Sequence, residues 1–110
     1  GVHLALTVNS LANLCDQNPY EGTIKTVIES QEKLAKVGAR PIGLTNCLNF
    51  GNPENPEVMW QFKEACRGLR DACRQLGIPV VSGNVSFYNE TEGKSIKPTP
   101  VIAMVGIVEK

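Results

Sequence analysis

Residues 58–81 read VMWQFKEACRGLRDACRQLGIPVV. Val58, Phe62, Ala65, Leu69, Ala72 and Leu76 recur in steps of four and three, with Lys63, Glu64, Arg67, Arg70, Asp71 and Arg74 around the remaining face. That spacing predicts a long helix with one apolar stripe. Gly77 ends it, and Ile78-Pro79-Val80-Val81 opens a strand. Upstream, NCLNFGNPENP from Asn46 to Pro56 is dense in Asn, Gly and Pro and reads as a turn-rich loop. Pro41 to Leu44 reads as a strand before it.

The pattern repeats towards the start of the chain. Ile24, Val27, Ile28, Leu34 and Ala35 fall on one stripe of a helix expected from about Tyr20 to Val37, stopped by Gly38. HLALTV at residues 3–8 reads as a strand, and Asn9 to Pro19 as an Asn-rich loop. Downstream, SFYNETEGKSIKP reads as a hairpin with its tip at Asn89 to Gly93, and Thr99 to Val108 as the last strand. The order is β-α-β-α-β-β. The expected fold is α+β, two helices packed on one face of a four-stranded mixed sheet. The last strand, VIAMVGIV, is apolar at nearly every position. Such a strand is covered on both faces, yet two helices cover only one, so a partner is expected on the other.

Composition narrows the class. The 110 residues are 42% hydrophobic and 20% charged, which suits one domain over 1–110 with a modest core. Eleven Lys+Arg balance eleven Asp+Glu, so the basic excess of a general nucleic-acid or membrane-surface binder is missing. No apolar run approaches the length of a membrane span, and no basic start leads into an apolar stretch; a cytoplasmic location is expected. The chain begins Gly1-Val2, inside what reads as a strand, and is expected to be a piece of a longer subunit. Cys15, Cys47, Cys66 and Cys73 show no C-x2-C spacing, and the lone His3 completes neither a zinc site nor a nucleophilic dyad. They read as reduced thiols in or near the core.

Three segments are placed for chemistry: the Asn46–Glu54 loop, Ser82 to Ser86, and the Asn9–Pro19 loop. The first two follow strands, where open α/β sheets bind ligands. Gly83 permits a close backbone approach, Asn84 offers a neutral oxygen, and Ser86 offers a hydroxyl. The plain alternative is that Gly83-Asn84 is a tight turn. Neither G-x-x-x-x-G-K-[ST] nor G-x-G-x-x-G occurs. Glu54 and Glu57 suit the positive end of the following helix, while Trp60 and Phe62 read as packing residues.

TNCLNFGNPE (Thr45 to Glu54), VMWQF (Val58 to Phe62), GIPVVSGNVSFYNET (Gly77 to Thr91) and PTPVI (Pro98 to Ile102) together resemble the phosphoribosylformylglycinamidine synthase family. The likeness covers essentially the whole chain. It is to the large, synthetase subunit, and within it to the N-terminal domain of the second repeated half, of the aminoimidazole ribonucleotide synthetase type. The resemblance implies ATP-dependent conversion of formylglycinamide ribonucleotide and glutamine-derived ammonia into formylglycinamidine ribonucleotide. It implies ATP as substrate, Mg2+, a glutaminase subunit or domain, and the remaining domains of the same subunit as partners. Residue by residue, Gly83 matches a nucleotide contact, Asn84 a magnesium ligand and Ser86 a substrate contact. Asn46 stands where many members carry an ATP-contacting aspartate, and Asn9 where many carry an acidic residue. The family's catalytic histidine belongs to the first half, so no catalytic residue is expected in this chain, and alone it is expected to be inactive. In the family this sheet packs on that of the other half; without it, a homodimer is expected. Two alternatives stand beside this reading: a structural, catalytically vestigial half-domain, and another ATP enzyme of the same superfamily.

Overall fold

The computed structural model describes residues 2–109; Gly1, read above with the first strand, lies outside them. Strand β1 (Val2–Ser10) leads through a short helix α1 (Ala12–Gln17) to α2 (Pro19–Lys36). Strand β2 (Ala39–Asn49) is followed by α3 (Pro56–Leu76) and β3 (Val80–Ser86). A two-stranded arm, β4 (Glu90–Thr91) and β5 (Lys94–Ser95), precedes β6 (Thr99–Glu109). The main sheet has the order β1-β6-β2-β3. β6 lies between β1 and β2 and is antiparallel to both, while β3 runs parallel to β2. The expected mixed four-stranded sheet with its two long helices on one face is therefore present.

Both long helices begin on matching caps. Asn18 and Asn55 accept from the backbone N–H of Glu21 and Glu57, with Pro at the first helical position of each. Gly77, at φ 68°, closes α3 in the left-handed conformation. Between helices and sheet, Val27, Leu34, Leu44, Leu69, Ala72, Ile102 and Met104 form the main core.

Four sequence readings need correction. The loop expected from Asn46 is strand as far as Asn49, because β2 is paired on both sides, with β6 and β3. Two satisfied ladders outweigh the weak strand preference of asparagine. Gly83-Asn84 is not a turn but lies inside β3. The Asn9–Pro19 segment contains α1, which buries Cys15. On α2 the buried face carries Thr23, Thr26 and Ser30, whereas Ala35 is exposed. The three hydroxyls donate to the carbonyls of Pro19, Gly22 and Thr26, at 2.7, 2.7 and 2.9 Å, and so enter the core without an unmet donor.

The face of the sheet away from the helices is bare. On β6, Ile102, Met104 and Gly106 are buried, while Val101, Ala103, Val105 and Ile107 between them are half-buried. Beside them β1 presents Leu4 at 72% and Leu6 at 66% exposure, and β3 presents Val81 at 71%. All four cysteines are free thiols, with Cys15 and Cys73 buried.

Candidate functional site

The segments singled out by sequence converge at the end of the parallel β2–β3 pair. An aromatic cluster fixes them there. Phe50, just past β2, is fully buried and meets Phe62 of α3 edge-on at 5.4 Å between ring centroids. Phe87, just past β3, meets Phe62 at 5.1 Å and 70°. Such edge-to-face pairs add about 0.5–1.5 kcal/mol each beyond their buried area. Phe62 thus packs as expected, whereas Trp60 stands 52% exposed.

Strand register sorts the candidates into two groups. Asn9 pairs with Ile102, Ile102 with Asn46, and Asn46 with Gly83, so these four form one row across the sheet. The row faces the helices, since Ile102 is buried in the core and Asn9 reaches the carbonyl of Thr26 on α2. Residues one position along point the other way. Asn84 pairs with Cys47 and Ser86 with Asn49, and these belong to the open face. The structure brings Asn46 together with Gly83, and Asn84 together with Ser86, on opposite sides of one strand. That strand, β3, is one of the sheet's two edges, so among the described residues no further strand covers it on its outer side.

The Asn46–Gly83 contact is close. A Cβ built on Gly83 would stand 2.6 Å from Asn46 Oδ1 and 2.7 Å from Nδ2. Only glycine leaves the amide room to lie flat over the strand. Asn46 also lines a groove between α3 and β3 with Leu48, Cys73, Val80 and the guanidinium-bearing Arg70 and Arg74. A larger groove along the outer side of α2, lined by Leu14, Glu21, Lys25 and Lys33 among others, contains none of the candidates.

Asn9 lies elsewhere. Two strand spacings, roughly 10 Å, separate it from Asn46, and three separate it from Gly83. It is engaged in the fold, donating to Thr26 O at 3.5 Å and accepting from Lys33 Nζ at 3.3 Å. Asn9 and Asn46, the two positions where the resemblance implies acidic residues, therefore do not share one site within this chain.

Asn84 offers one neutral oxygen, and among the described residues no group of three His, Cys, Asp or Glu could hold a metal ion. That donor set does not hold a resident ion. It fits one ligand of a magnesium ion shared with nucleotide phosphates, because Mg2+ takes few protein oxygens and keeps phosphate and water for the rest.

Two further features escaped the sequence. Asn89 donates to Phe50 O, just past β2, and to Ser86 O at the end of β3. Tyr20 Oη donates to Asp71 Oδ2 at 2.6 Å, with Arg67 stacked 4.6 Å from the Tyr20 ring centroid and Arg70 donating to Asp71 Oδ1 at 3.0 Å. The Tyr20 bond, then that from Arg70, holds the Asp71 carboxyl below its usual range; the same bond to Asp71 raises the Tyr20 phenol. This cluster ties α2 to α3. Burial raises the thiols of Cys15, Cys66 and Cys73, the opposite of activation.

Comparison with known proteins supplies what geometry leaves open. The model of the family described as AIR synthase related protein, N-terminal domain, matches residues 1–108. Phosphoribosylformylglycinamidine synthase subunit PurL of Anaeromyxobacter sp. (strain K) is 57% identical over 106 residues, which cover 96% of this chain and 14% of that protein. The subunit of the same name from Tropheryma whipplei (strain Twist) is 56% identical over 109 residues, 99% of this chain and 14% of the relative. Among solved structures, Thermotoga maritima PurL complexed with ATP matches at 41% identity and a TM-score of 0.90, over 97% of this chain and 18% of that one. The same protein complexed with FGAR matches at 42% and 0.89, over 96% and 17%. The chain thus spans about one seventh of the length of these curated relatives.

Proposed function

From the premise that the chain belongs to the AIR synthase related protein family, as its N-terminal domain, we propose that it forms part of the ATP site of a phosphoribosylformylglycinamidine synthase large subunit. Within that subunit it is the N-terminal domain of the second half, a single domain over 1–110. The observation that carries the reading is the likeness, at 41% identity over 97% of the chain, to a protein solved with ATP bound. The substrates are ATP and formylglycinamide ribonucleotide, with ammonia released by a glutaminase partner. The location is cytoplasmic; among the described residues no helix is long and apolar enough to cross a membrane.

The chemical task is to replace an amide oxygen, a very poor leaving group, by nitrogen. Transfer of the terminal phosphoryl of ATP to that oxygen makes it a good one, and ammonia then displaces it. This chain's share is binding and orientation. Asn46, held over Gly83 in a groove with Arg70 and Arg74, contacts the nucleotide on the helix side of β3. On the open side, Asn84 donates an oxygen to magnesium and Ser86 a hydroxyl to the ribonucleotide. Magnesium, when bound, neutralises charge on the transferring phosphoryl group. Attack and proton transfer belong to residues outside this chain, so the 110 residues alone have no turnover. The bare apolar face, with Leu4, Leu6 and Val81 exposed, is covered in the subunit by the sheet of the other half and in the isolated chain by a second copy.

The test is Asn84→Leu in the full-length subunit. Synthetase turnover falls by at least about an order of magnitude, because the metal carries much of the charge neutralisation. Near-normal turnover in a folded variant contradicts the assignment. A second reading, a vestigial half that only completes the sheet core, is favoured by Asn9, whose amide is committed to Thr26 and Lys33 instead of a ligand.

A further inference from the structure

We propose that Asn89 is a positioning residue that fixes the Ser86 hydroxyl as a hydrogen-bond donor towards the ribonucleotide; this rests on the reading of Ser86 as a substrate contact. Ser86 is the last residue of β3. The chain then turns at Tyr88, which adopts φ 61°, a conformation that non-glycine residues hold only where their surroundings impose it. Here the imposing contacts are Tyr88 N–H to Gly51 O at 2.7 Å and Asn89 N–H to Phe50 O at 3.2 Å. The turn brings the Asn89 side chain back beneath the ends of both parallel strands. Its Nδ2 lies 3.0 Å from Phe50 O, 3.1 Å from Ser86 O and 3.2 Å from Ser86 Oγ.

Two of those three neighbours are carbonyl oxygens, which only accept. They therefore fix which end of the amide is nitrogen. Nδ2 carries two hydrogens for these three acceptors, so Ser86 Oγ shares with Ser86 O the hydrogen that Asn89 directs at residue 86. The Ser86 proton has Asn89 Oδ1 as an acceptor only at 3.5 Å, the outer limit of a hydrogen bond. It is thus available to an acceptor on a ligand, such as a phosphate or carbonyl oxygen. A carboxylate at position 89 would reverse this polarity. It has no hydrogen to give, it would draw the Ser86 proton to itself, and it would place negative charge beside an acceptor.

The experiment is a double-mutant cycle in the full-length subunit with formylglycinamide ribonucleotide, using Ser86→Ala, Asn89→Asp and the pair, with KM read separately for the ribonucleotide and for ATP. Each single variant is expected to raise the ribonucleotide KM roughly tenfold or more, the loss of one hydrogen bond to a charged group, and to leave the ATP KM within about twofold. The pair is expected to match Ser86→Ala alone, since Asn89 acts through Ser86. Full additivity, or an unmoved ribonucleotide KM in Asn89→Asp, overturns the proposal. An unmoved KM in Ser86→Ala instead overturns the underlying reading of Ser86. If Asn89→Asp does not fold, Asn89→Ala enters the same cycle: loss of its effect in the Ser86→Ala background supports the proposal, and persistence of that effect overturns it.

Discussion

Gly83→Ala separates binding from folding. Gly83 does not adopt a positive φ, so its backbone accepts alanine. The new methyl stands 2.6–2.8 Å from the Asn46 amide atoms and must drive them back to ordinary contact, which begins at 3.4 Å. Asn46 is a half-buried side chain beside a free sheet edge and yields by rotating away. That rotation costs about 0.5–1.5 kcal/mol. Removing a glycine from the unfolded chain returns about 0.4–1 kcal/mol. Stability is therefore expected to change by less than about 1 kcal/mol. If Asn46 contacts the nucleotide as proposed, ATP binding loses that contact, worth about 1.5–3 kcal/mol for a hydrogen bond to a charged group, and affinity weakens roughly 10- to 100-fold. Titration calorimetry with ATP on the full-length subunit, beside thermal unfolding, reads both quantities. Asn46→Ala should give the same loss, and the double variant no more. Wild-type affinity in Gly83→Ala refutes the reasoning. So does a loss that persists in full when Asn46 is already alanine, because the methyl would then obstruct the nucleotide directly.

Phe50→Ala in the 110-residue chain should cost about 3–5 kcal/mol in denaturant unfolding, since Phe50 is fully buried against Phe62 and Phe87; a cost under about 1 kcal/mol would mean the cluster is loosely packed. The Tyr20–Asp71 pair makes stability depend on pH at both ends. The lowered Asp71 value contributes stability above the usual carboxylate range that is lost as pH falls through its folded value; the raised Tyr20 value contributes stability below about pH 10 that is lost as pH rises through its folded value. Tyr20→Phe should flatten both limbs of the unfolding profile, and unchanged limbs would discount the bond. The isolated chain should elute and scatter light as a dimer at micromolar concentration, its bare sheet face buried; a clean monomer would mean that face is tolerated in water.

How far the sequence led depended on how local each signal was. The α3 stripe from Val58 to Leu76 and its Gly77 stop are set by neighbours a few residues apart, and both are legible; the hairpin is legible too, but its tip is Glu92-Gly93 and not Asn89 to Gly93, since Glu90 and Thr91 pair with Ser95 and Lys94. The strand character of Asn46 to Asn49 was hidden, because it comes from β6 and β3, which lie some fifty and forty residues away along the chain. Thr23, Thr26 and Ser30 broke the apolar stripe of α2 on paper, yet their hydroxyls are satisfied one turn back and the core admits them. The uncovered sheet face follows from the last strand, but Leu4 and Leu6 of β1 and Val81 of β3 are far more exposed than β6 itself, and the alternation of HLALTV carries the same message. Gly83, Asn84 and Ser86 were visible as residues; their division between two faces needed the register. Asn89 had a weak signal, an asparagine after an aromatic in a hairpin, and its bonds to Phe50 O and Ser86 O appear only once β2 and β3 lie side by side.

The central claim is that this domain takes part in a nucleotide–magnesium site at the free edge of β3. Calorimetric titration of ATP with Mg2+ into the intact subunit, compared with its Asn84→Leu variant, tests it most directly. A loss of at least about tenfold in affinity, equivalent to about 1.4 kcal/mol, is expected, with thermal unfolding unchanged. Superimposable isotherms from the two proteins would contradict it and leave the domain a structural half.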